Sequence, residues 1–160
     1  MAAGQTIGKF IPQCYEPSAT PPTPSKRGGH PVLLFDDTTN ETCYFSDVMP
    51  QNYHGGGLTV YVHVAMGTAT SGNVDIDVAF ERLGETQDMD SDSFASVQSA
   101  DDNTVPGTAG QLMIVEVTFT SGQIDSIAAG EGYRISITRD ATNDTASGNM
   151  QLRFVEIRES

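Results

Sequence analysis

Three aspartates alternate in the segment QDMDSDS, at positions 88, 90 and 92. Alternating carboxylates supply the first oxygen ligands of an EF-hand calcium loop, at its positions one, three and five. Counted from Asp88, however, the sixth position is Ser93 where an EF-hand needs glycine, and the twelfth is Ser99 where it needs glutamate. We interpret Asp88, Asp90 and Asp92 as part of a solvated turn, with a loose Ca²⁺ or Mg²⁺ site as the alternative.

The histidines and cysteines lack the spacing of a metal site. His30, His54 and His63 form neither a His-x-His pair nor a pair separated by three to five residues. We expect His63 to be a surface or interface side chain. Cys14 and Cys43 are predicted to be free thiols of a protein made in the cytoplasm, and one disulfide between them is the alternative. The sequence predicts no cofactor and no metal.

No arrangement of residues indicates catalysis. The GxSxG motif of a nucleophile elbow is absent. Asp75 and Asp77 lie two apart on one predicted strand, and such a pair would suit a glycosidase only inside a cleft. Since the chain has no Trp and few aromatic residues, we interpret the two aspartates as keeping a strand face soluble. The sequence therefore predicts a protein that is not an enzyme.

Arg139 stands at the end of a predicted strand, directly before the polar segment 140–148. An exposed ion pair with an acidic neighbour would contribute about 0–1 kcal/mol. The alternative is that Arg139 fixes the following loop or a subunit contact.

Apolar and polar residues alternate with the period of β-strands over most of the chain from residue 31 onward. The clearest strands span 58–66 and 74–81, and the Gly- and Ser-containing segment between them predicts a hairpin. Further strands are predicted at 31–36, 41–46, 93–98, 112–120, 132–139 and 149–159, with a loop at 101–110 and a single helical turn at 123–128. The predicted fold is all-β: an antiparallel sandwich of about eight strands, jelly-roll-like, although the periodicity also fits a barrel or another Greek key.

The overall charge excludes some partners. The chain has 160 residues, eight Lys and Arg, 21 Asp and Glu, and a net charge of −13. Nucleic acid binding needs a basic patch, and we do not expect so few Lys and Arg side chains to form one. Anionic membranes would repel a chain of this negative charge. No run of about 18 apolar residues occurs, so no membrane-spanning segment is predicted. Residues 1–10 lack the apolar stretch of a signal peptide, and we expect synthesis in the cytoplasm.

Prolines and basic residues are concentrated in residues 1–31, which hold six of the eight prolines. Proline favours extended, solvated backbone over helix or central strand. We therefore predict an extended basic arm at 1–31, laid over a neighbouring subunit or another protein, before an acidic sandwich domain at 32–160; a disordered leader is the alternative. The predicted contact residues of the arm are apolar anchors and charge partners: Ile7, Phe10, Ile11 and Tyr15, with Lys9, Lys26 and Arg27.

Six stretches resemble a family of small β-sandwich structural proteins from tailed bacteriophage virions, of the capsid decoration or cement type. They are PVLLFDD at 31–37, GLTVYV at 57–62, SGNVDIDVAFER at 71–82, VPGTAGQL at 105–112, AGEGYRISITRDA at 129–141 and QLRFVEIR at 151–158. The resemblance covers about residues 31–158 and rests mainly on strand and turn signals. It implies a non-enzymatic protein, often trimeric, with no catalytic residues to assign.

Two functions follow as expectations. The first is a decoration protein on the outer head surface, expected to be a homo-oligomer and a trimer, that stabilises the head by binding the major capsid protein or its neighbours. The second is a tail or fibre component for tail assembly or host-surface recognition, with loops at 88–92, 101–109 and 140–148 as contact tips.

Overall fold

A computed structural model describes residues 4–160 as two packed antiparallel sheets. A short 3-10 turn at Pro12–Cys14 follows the first strand. The described residues form eleven strands: β1 Thr6–Phe10, β2 Glu16–Pro17, β3 Thr23–Arg27, β4 His30–Phe35, β5 Glu41–Val48, β6 Leu58–Met66, β7 Asn73–Leu83, β8 Gln98–Thr104, β9 Leu112–Phe119, β10 Gly132–Arg139 and β11 Met150–Glu159.

The strand order is that of a jelly roll. One sheet has the order β3-β4-β11-β6-β9, with β1 also paired to β11, and we call it the six-stranded sheet. The other, five-stranded sheet has the order β2-β5-β10-β7-β8. If β4 to β11 are counted as one to eight, the two sheets read 1-8-3-6 and 2-7-4-5, which is the double Greek key of a jelly roll. The predicted all-β, jelly-roll-like sandwich is confirmed.

The period-two patterns place the core between the sheets. In β6, Leu58, Val60, Val62 and Val64 point inward and are fully buried, while Tyr61 and His63 alternate with them on the outer face and are half-buried. Strand β10 follows the same rule, with Tyr133, Ile135 and Ile137 buried in the core. The apolar faces of both sheets therefore close on each other, and the outer faces are left to polar and mixed side chains.

The segment 1–31 differs from the predicted arm laid over a neighbouring subunit or another protein, because its described part pairs with strands of its own sandwich. Strand β1 pairs with β11, and Ile7 and Phe10 are buried in the core. Gly8 permits this approach, since a Cβ there would lie 2.8 Å from the Tyr133 hydroxyl. Strand β3 pairs with β4 and carries Pro24, which an edge strand tolerates because one side of it needs no partner.

Three local predictions also differ. The strands 58–66 and 74–81 do not pair as the predicted hairpin, because β6 and β7 lie in different sheets and the chain crosses the sandwich between them. Strand β8 runs later than predicted and includes Asp101 and Asp102, which belong to an edge strand where charged side chains are tolerated. Residues 123–128 form turns rather than a helical turn, with positive φ angles at Asp125 and Ser126. Within residues 4–160 there is no helix of the length and apolarity that crossing a membrane requires.

Candidate functional site: a basic groove on the six-stranded sheet

A groove of about 430 Å³ opens on the outer face of the six-stranded sheet. It lies where β6 ends and where β9 and β11 begin, beside β3 and β4. The groove is lined by Arg27, His30, Val32, Ala65, Gly110, Leu112, Gln151, Arg153 and Phe154. None of these nine residues is acidic, although the chain has 21 Asp and Glu.

Arg27 forms one side of the groove and is held by neutral acceptors. Its Nη1 donates to the carbonyl oxygens of Met66 and Gly67, at 3.3 and 3.1 Å, and to Gln151 Oε1 at 3.1 Å. Its guanidinium also lies against Gly110, where any side chain would collide with it. Because none of these partners carries a charge, the positive charge of Arg27 is fixed in place without being neutralised.

Arg153 and Phe154 form the other side, at an irregularity in β11. The register between β11 and β6 shifts between Leu152 and Phe154, as in a β-bulge. The guanidinium carbon of Arg153 lies 4.1 Å from the centre of the Phe154 ring, within the range of a cation–π contact. His63 meets the same ring edge-on, with the ring centres 5.8 Å apart. The bulge thus brings a cation and an aromatic ring to the outer surface together.

A second hollow of about 250 Å³ lies on the other side of Phe154. Lys9, Ile11, His63 and Glu156 are among the residues that line it. Burial lowers the pKa of His63, against an opposing effect of Glu156. At neutral pH the imidazole is therefore uncharged, and Lys9 is the cation of this hollow.

Strand β9 adds exposed apolar side chains at the edge of the sheet. Leu112 and Ile114 are 52% and 54% exposed. Among the described strands β9 pairs only with β6, so its other edge is open. Exposed apolar residues on an open edge strand are a known liability for association. We call the surface of the groove, the second hollow and these two residues the basic face.

The charges of the molecule are separated between its two sheets. Five of the eight Lys and Arg side chains, but only three of the 21 acidic ones, lie in strands of the six-stranded sheet. The other three, in the five-stranded sheet, each form an ion pair: Arg82 with Glu131, Arg134 with Glu81, and Arg139 with Asp144. Within residues 4–160, no ion pair involves Arg27 or Arg153.

The predicted contact residues are divided between the core and this surface. Ile7 and Phe10 point into the core, and Tyr15 is half-buried against it. Lys9 and Ile11 lie in the second hollow, Lys26 is exposed on β3, and Arg27 lies in the groove. Sequence analysis missed Arg153, Phe154 and Leu112. The sequence does contain one signal for this site, the adjacent apolar residues Phe154 and Val155. This pair breaks the alternation of β11 and marks the bulge.

The acidic segment 88–92 is a turn in which the carboxylates bind the chain itself. Asp88 Oδ1 accepts from the backbone NH of Asp90 at 3.0 Å, and Asp92 Oδ2 accepts from the Gln87 amide at 2.8 Å. Over residues 4–160, no three His, Cys, Asp or Glu side chains are grouped so that they could hold a metal ion. Cys14 is exposed, Cys43 is buried in β5, and both are free thiols. Burial strongly raises the pKa of Cys43.

Asp75 and Asp77 connect β7 to the edge strand β8. Asp75 is 7% exposed, and its Oδ1 accepts from the backbone NH of Asp102 at 2.6 Å. Asp77 Oδ1 accepts from the Ser99 hydroxyl. Desolvation is the main cause that raises the pKa of Asp75, and Asp101 and Asp102 add to it. The pair therefore fixes β8 in place, rather than only keeping a strand face soluble as the sequence suggested.

Arg139 is a buried anchor of the loop that follows it. Its Nε lies 2.7 Å from Asp144 Oδ2, and the two side chains are 0% and 2% exposed. The guanidinium also donates to the carbonyl oxygens of Phe35, Ala146 and Gly148. Of the two alternatives for Arg139, the structure shows the one that fixes residues 140–148.

Comparisons with known proteins give the fold class. No protein-family model matches the sequence, and no curated protein does. A carbohydrate-binding module of lichenase 5A from Cellvibrio mixtus, solved with cellotriose, aligns over 98% of this chain and 99% of its own, with a TM-score of 0.53 and 12% identity. The C-terminal module of the laminarinase LamC from Zobellia galactanivorans aligns over 97% and 100%, with a TM-score of 0.51 and 14% identity.

A third structure, the xylanase 10B from Clostridium thermocellum with xylohexaose, aligns over 99% of this chain and 28% of its own, with a TM-score of 0.52 and 13% identity. At such low identities these likenesses show the fold alone. The chain is thus a jelly-roll β-sandwich of the architecture that these modules also have.

Proposed function

We propose that the chain is a non-enzymatic structural protein of a bacteriophage virion, of the capsid decoration type. In this proposal it binds neighbouring virion proteins, the major capsid protein among them, through the basic face, and acts as a homo-oligomer on the outer head surface. The observation that carries the proposal is the basic face itself: a mixed apolar and cationic surface on a chain of net charge −13. The resemblance of residues 31–158 to virion proteins is the reason for proposing that these partners belong to a virion.

The composition of the basic face suits a protein partner. Interfaces between proteins are enriched in arginine and apolar side chains around a buried centre, with aromatic residues among the main contributors. Leu112, Ile114 and Phe154 with Arg27 and Arg153 provide that combination. The charges would also attract an acidic partner surface and orient it on approach.

The second candidate is a glycan-binding component of a tail or fibre. The groove has a volume within the range of small-molecule sites, and the fold is shared with structures solved with cellotriose and xylohexaose. The aromatic rings count against it. Outside the core, Phe154, Tyr61, Tyr44 and Phe94 each have an arginine guanidinium over the ring, at 4.1 to 4.9 Å. A sugar would have to displace an arginine before it could stack.

Electron microscopy of virions labelled with gold-conjugated antibodies against the chain tests the proposal. Labels over the head support decoration, labels confined to the tail or fibres favour the second candidate, and unlabelled virions contradict both. The surface is tested by binding of purified protein to heads that lack it. We expect Leu112→Asp with Ile114→Asp to lose binding, while Val48→Asp, which is 58% exposed on the five-stranded sheet, retains it.

A further inference from the structure

The segment between β7 and β8 carries a largely exposed apolar side chain. Met89 is 79% exposed, more than any other large apolar side chain in residues 4–160. The exposed residues Asp88 and Asp90 flank it. Their carboxylates make no ion pair within the described residues, so the tip presents one flexible apolar group between two negative charges.

The groove of the six-stranded sheet has the complementary arrangement. Its apolar walls include Val32, Ala65 and Leu112, and its cations are Arg27 and Arg153. A hydrogen bond between arginine and a carboxylate joins two opposite charges and is stronger than the bonds that Arg27 makes here to neutral acceptors. A ligand that fits this groove carries a carboxylate beside an apolar group.

The two features lie at opposite ends of the sandwich and cannot meet within one molecule. The groove is at the end of β6, where Ala65 pairs with Leu112. Residues 67–72 join that end of β6 to β7 in the other sheet, and the segment 84–97 follows β7 at its far end. A contact between them therefore joins two copies head to tail. Such a contact closes into a ring when its rotation permits and otherwise builds an open chain.

We propose that residues 88–92 of one copy dock in the groove of a second copy of this chain. Met89 packs against Val32 and Leu112, and the carboxylates of Asp88 and Asp90 bind Arg27 and Arg153. This inference rests on the homo-oligomer of the proposed function and names its contact. It also assigns a partner to two arginines that make no ion pair with the residues described here, 4–160.

Self-association of the full chain, measured by sedimentation equilibrium at low salt, tests the contact. We expect Asp88→Lys with Asp90→Lys, and separately Arg153→Glu, to raise the dissociation constant by about tenfold or more, which equals roughly 1.4 kcal/mol. Asp47→Lys reverses the charge of an exposed acid on the other sheet and is the control for a charge reversal outside the contact. Circular dichroism verifies that each variant is folded.

Mixing the two charge-reversed proteins provides the decisive result. The lysine-bearing loop of one variant then faces the glutamate-bearing groove of the other, and we expect association to return toward that of the unmodified chain. A wild-type chain that stays monomeric, or variants that associate as the wild type does, would overturn the inference. The decoration proposal is judged separately by the gold labels, so the two can fail independently.

A cross-link gives a second measurement. In a Cys14→Ser background, Met89→Cys and Leu112→Cys together should give disulfide-linked ladders on non-reducing gels, while either cysteine alone gives no ladder. Absence of ladders from the doubly substituted protein would count against docking of Met89 at this position.

Discussion

At the level of single residues, buried charges define the least replaceable positions. Arg139 is fully buried, and its guanidinium satisfies Asp144 and three carbonyl oxygens at once. The free-energy cost of desolvating such a pair largely offsets the attraction between its charges. The pair therefore holds the loop in one geometry rather than adding net stability. The sequence leaves two alternatives for Arg139, an exposed ion pair or an anchor of the following loop or a subunit contact. It cannot decide between them because it does not show whether the side chain is buried.

Arg139→Met should therefore be strongly destabilising, by about 3–5 kcal/mol, because it leaves the Asp144 carboxylate buried without a partner. The free energy of unfolding from urea titrations measures this. Arg139→Met combined with Asp144→Leu should recover part of the loss, since no charge then remains uncompensated. Arg158→Ala, which breaks the more exposed pair with Glu156, is the control and should change the midpoint little. Equal effects of Arg139→Met and Arg158→Ala would contradict this explanation.

Asp75 offers a test with a defined pH dependence. Desolvation raises its pKa, so the native state holds the proton more tightly than the unfolded chain does. The charged form then costs stability above the raised pKa, and that cost disappears as the pH falls to the ordinary value of 3.8. Asp75→Asn keeps an acceptor for the Asp102 NH and removes the charge.

We expect Asp75→Asn to be more stable than the wild type at pH 7, with the difference shrinking toward pH 3.8. Urea denaturation of both proteins at several pH values gives the difference directly. A gain that is independent of pH would mean that the charge of Asp75 is not its source.

At the level of elements, the N-terminal strand β1 shows which strands the sequence pattern cannot predict. The strands 58–66 and 132–139 were predicted with their observed bounds because each buries one face. Strand β1 is five residues long and contains a glycine, and its partner β11 lies at the other end of the chain. The alternation of apolar and polar residues in β1 is too short to identify a strand from the sequence. β1 is stabilised by its pairing with β11, which forms only in the tertiary fold. The groove could not be predicted from the sequence either. It is lined by outward-pointing side chains of five strands, and only the tertiary fold brings these strands together.

A matched pair of substitutions tests the integration of β1. Ile7 is 7% exposed and Ile11 is 42% exposed. Ile7→Ala should destabilise the sandwich by about 2–5 kcal/mol, as expected for a truncated core residue, whereas Ile11→Ala should have a small effect. Thermal melts compare the two proteins. A loss of stability no larger in Ile7→Ala than in Ile11→Ala would show that β1 is not part of the folded core in solution, as the predicted arm on a neighbouring protein requires.

At the level of the whole molecule, the topology makes most stabilising contacts distant in sequence. Strands β6 and β11 are neighbours in one sheet, although β7 to β10 lie between them along the chain. Loop closure must precede such pairing, and sandwiches of this kind fold slowly. The separation of charge belongs to this scale as well, because the jelly-roll order brings β1, β3 and β11 together and gathers their cations on one face.

We expect refolding from urea in about milliseconds to seconds, the range of β-sandwiches, rather than in microseconds. Stopped-flow fluorescence of the five tyrosines follows it. Val155→Ala in β11 and Val117→Ala in the edge strand β9 are comparable core truncations that show which sheet region forms in the transition state. A microsecond phase that carries the full amplitude would contradict the topological argument.

The position of β11 also affects how the protein is made. This strand is the last of the described strands, yet it lies between β4 and β6 and also pairs with β1. During translation, the six-stranded sheet cannot close until residue 159 has left the ribosome, so the earlier strands must wait with their apolar faces exposed. A chain whose synthesis stops before residue 150 lacks the centre of the sheet. Such a product leaves β4 and β6 without the strand that pairs with both, and we expect it not to fold.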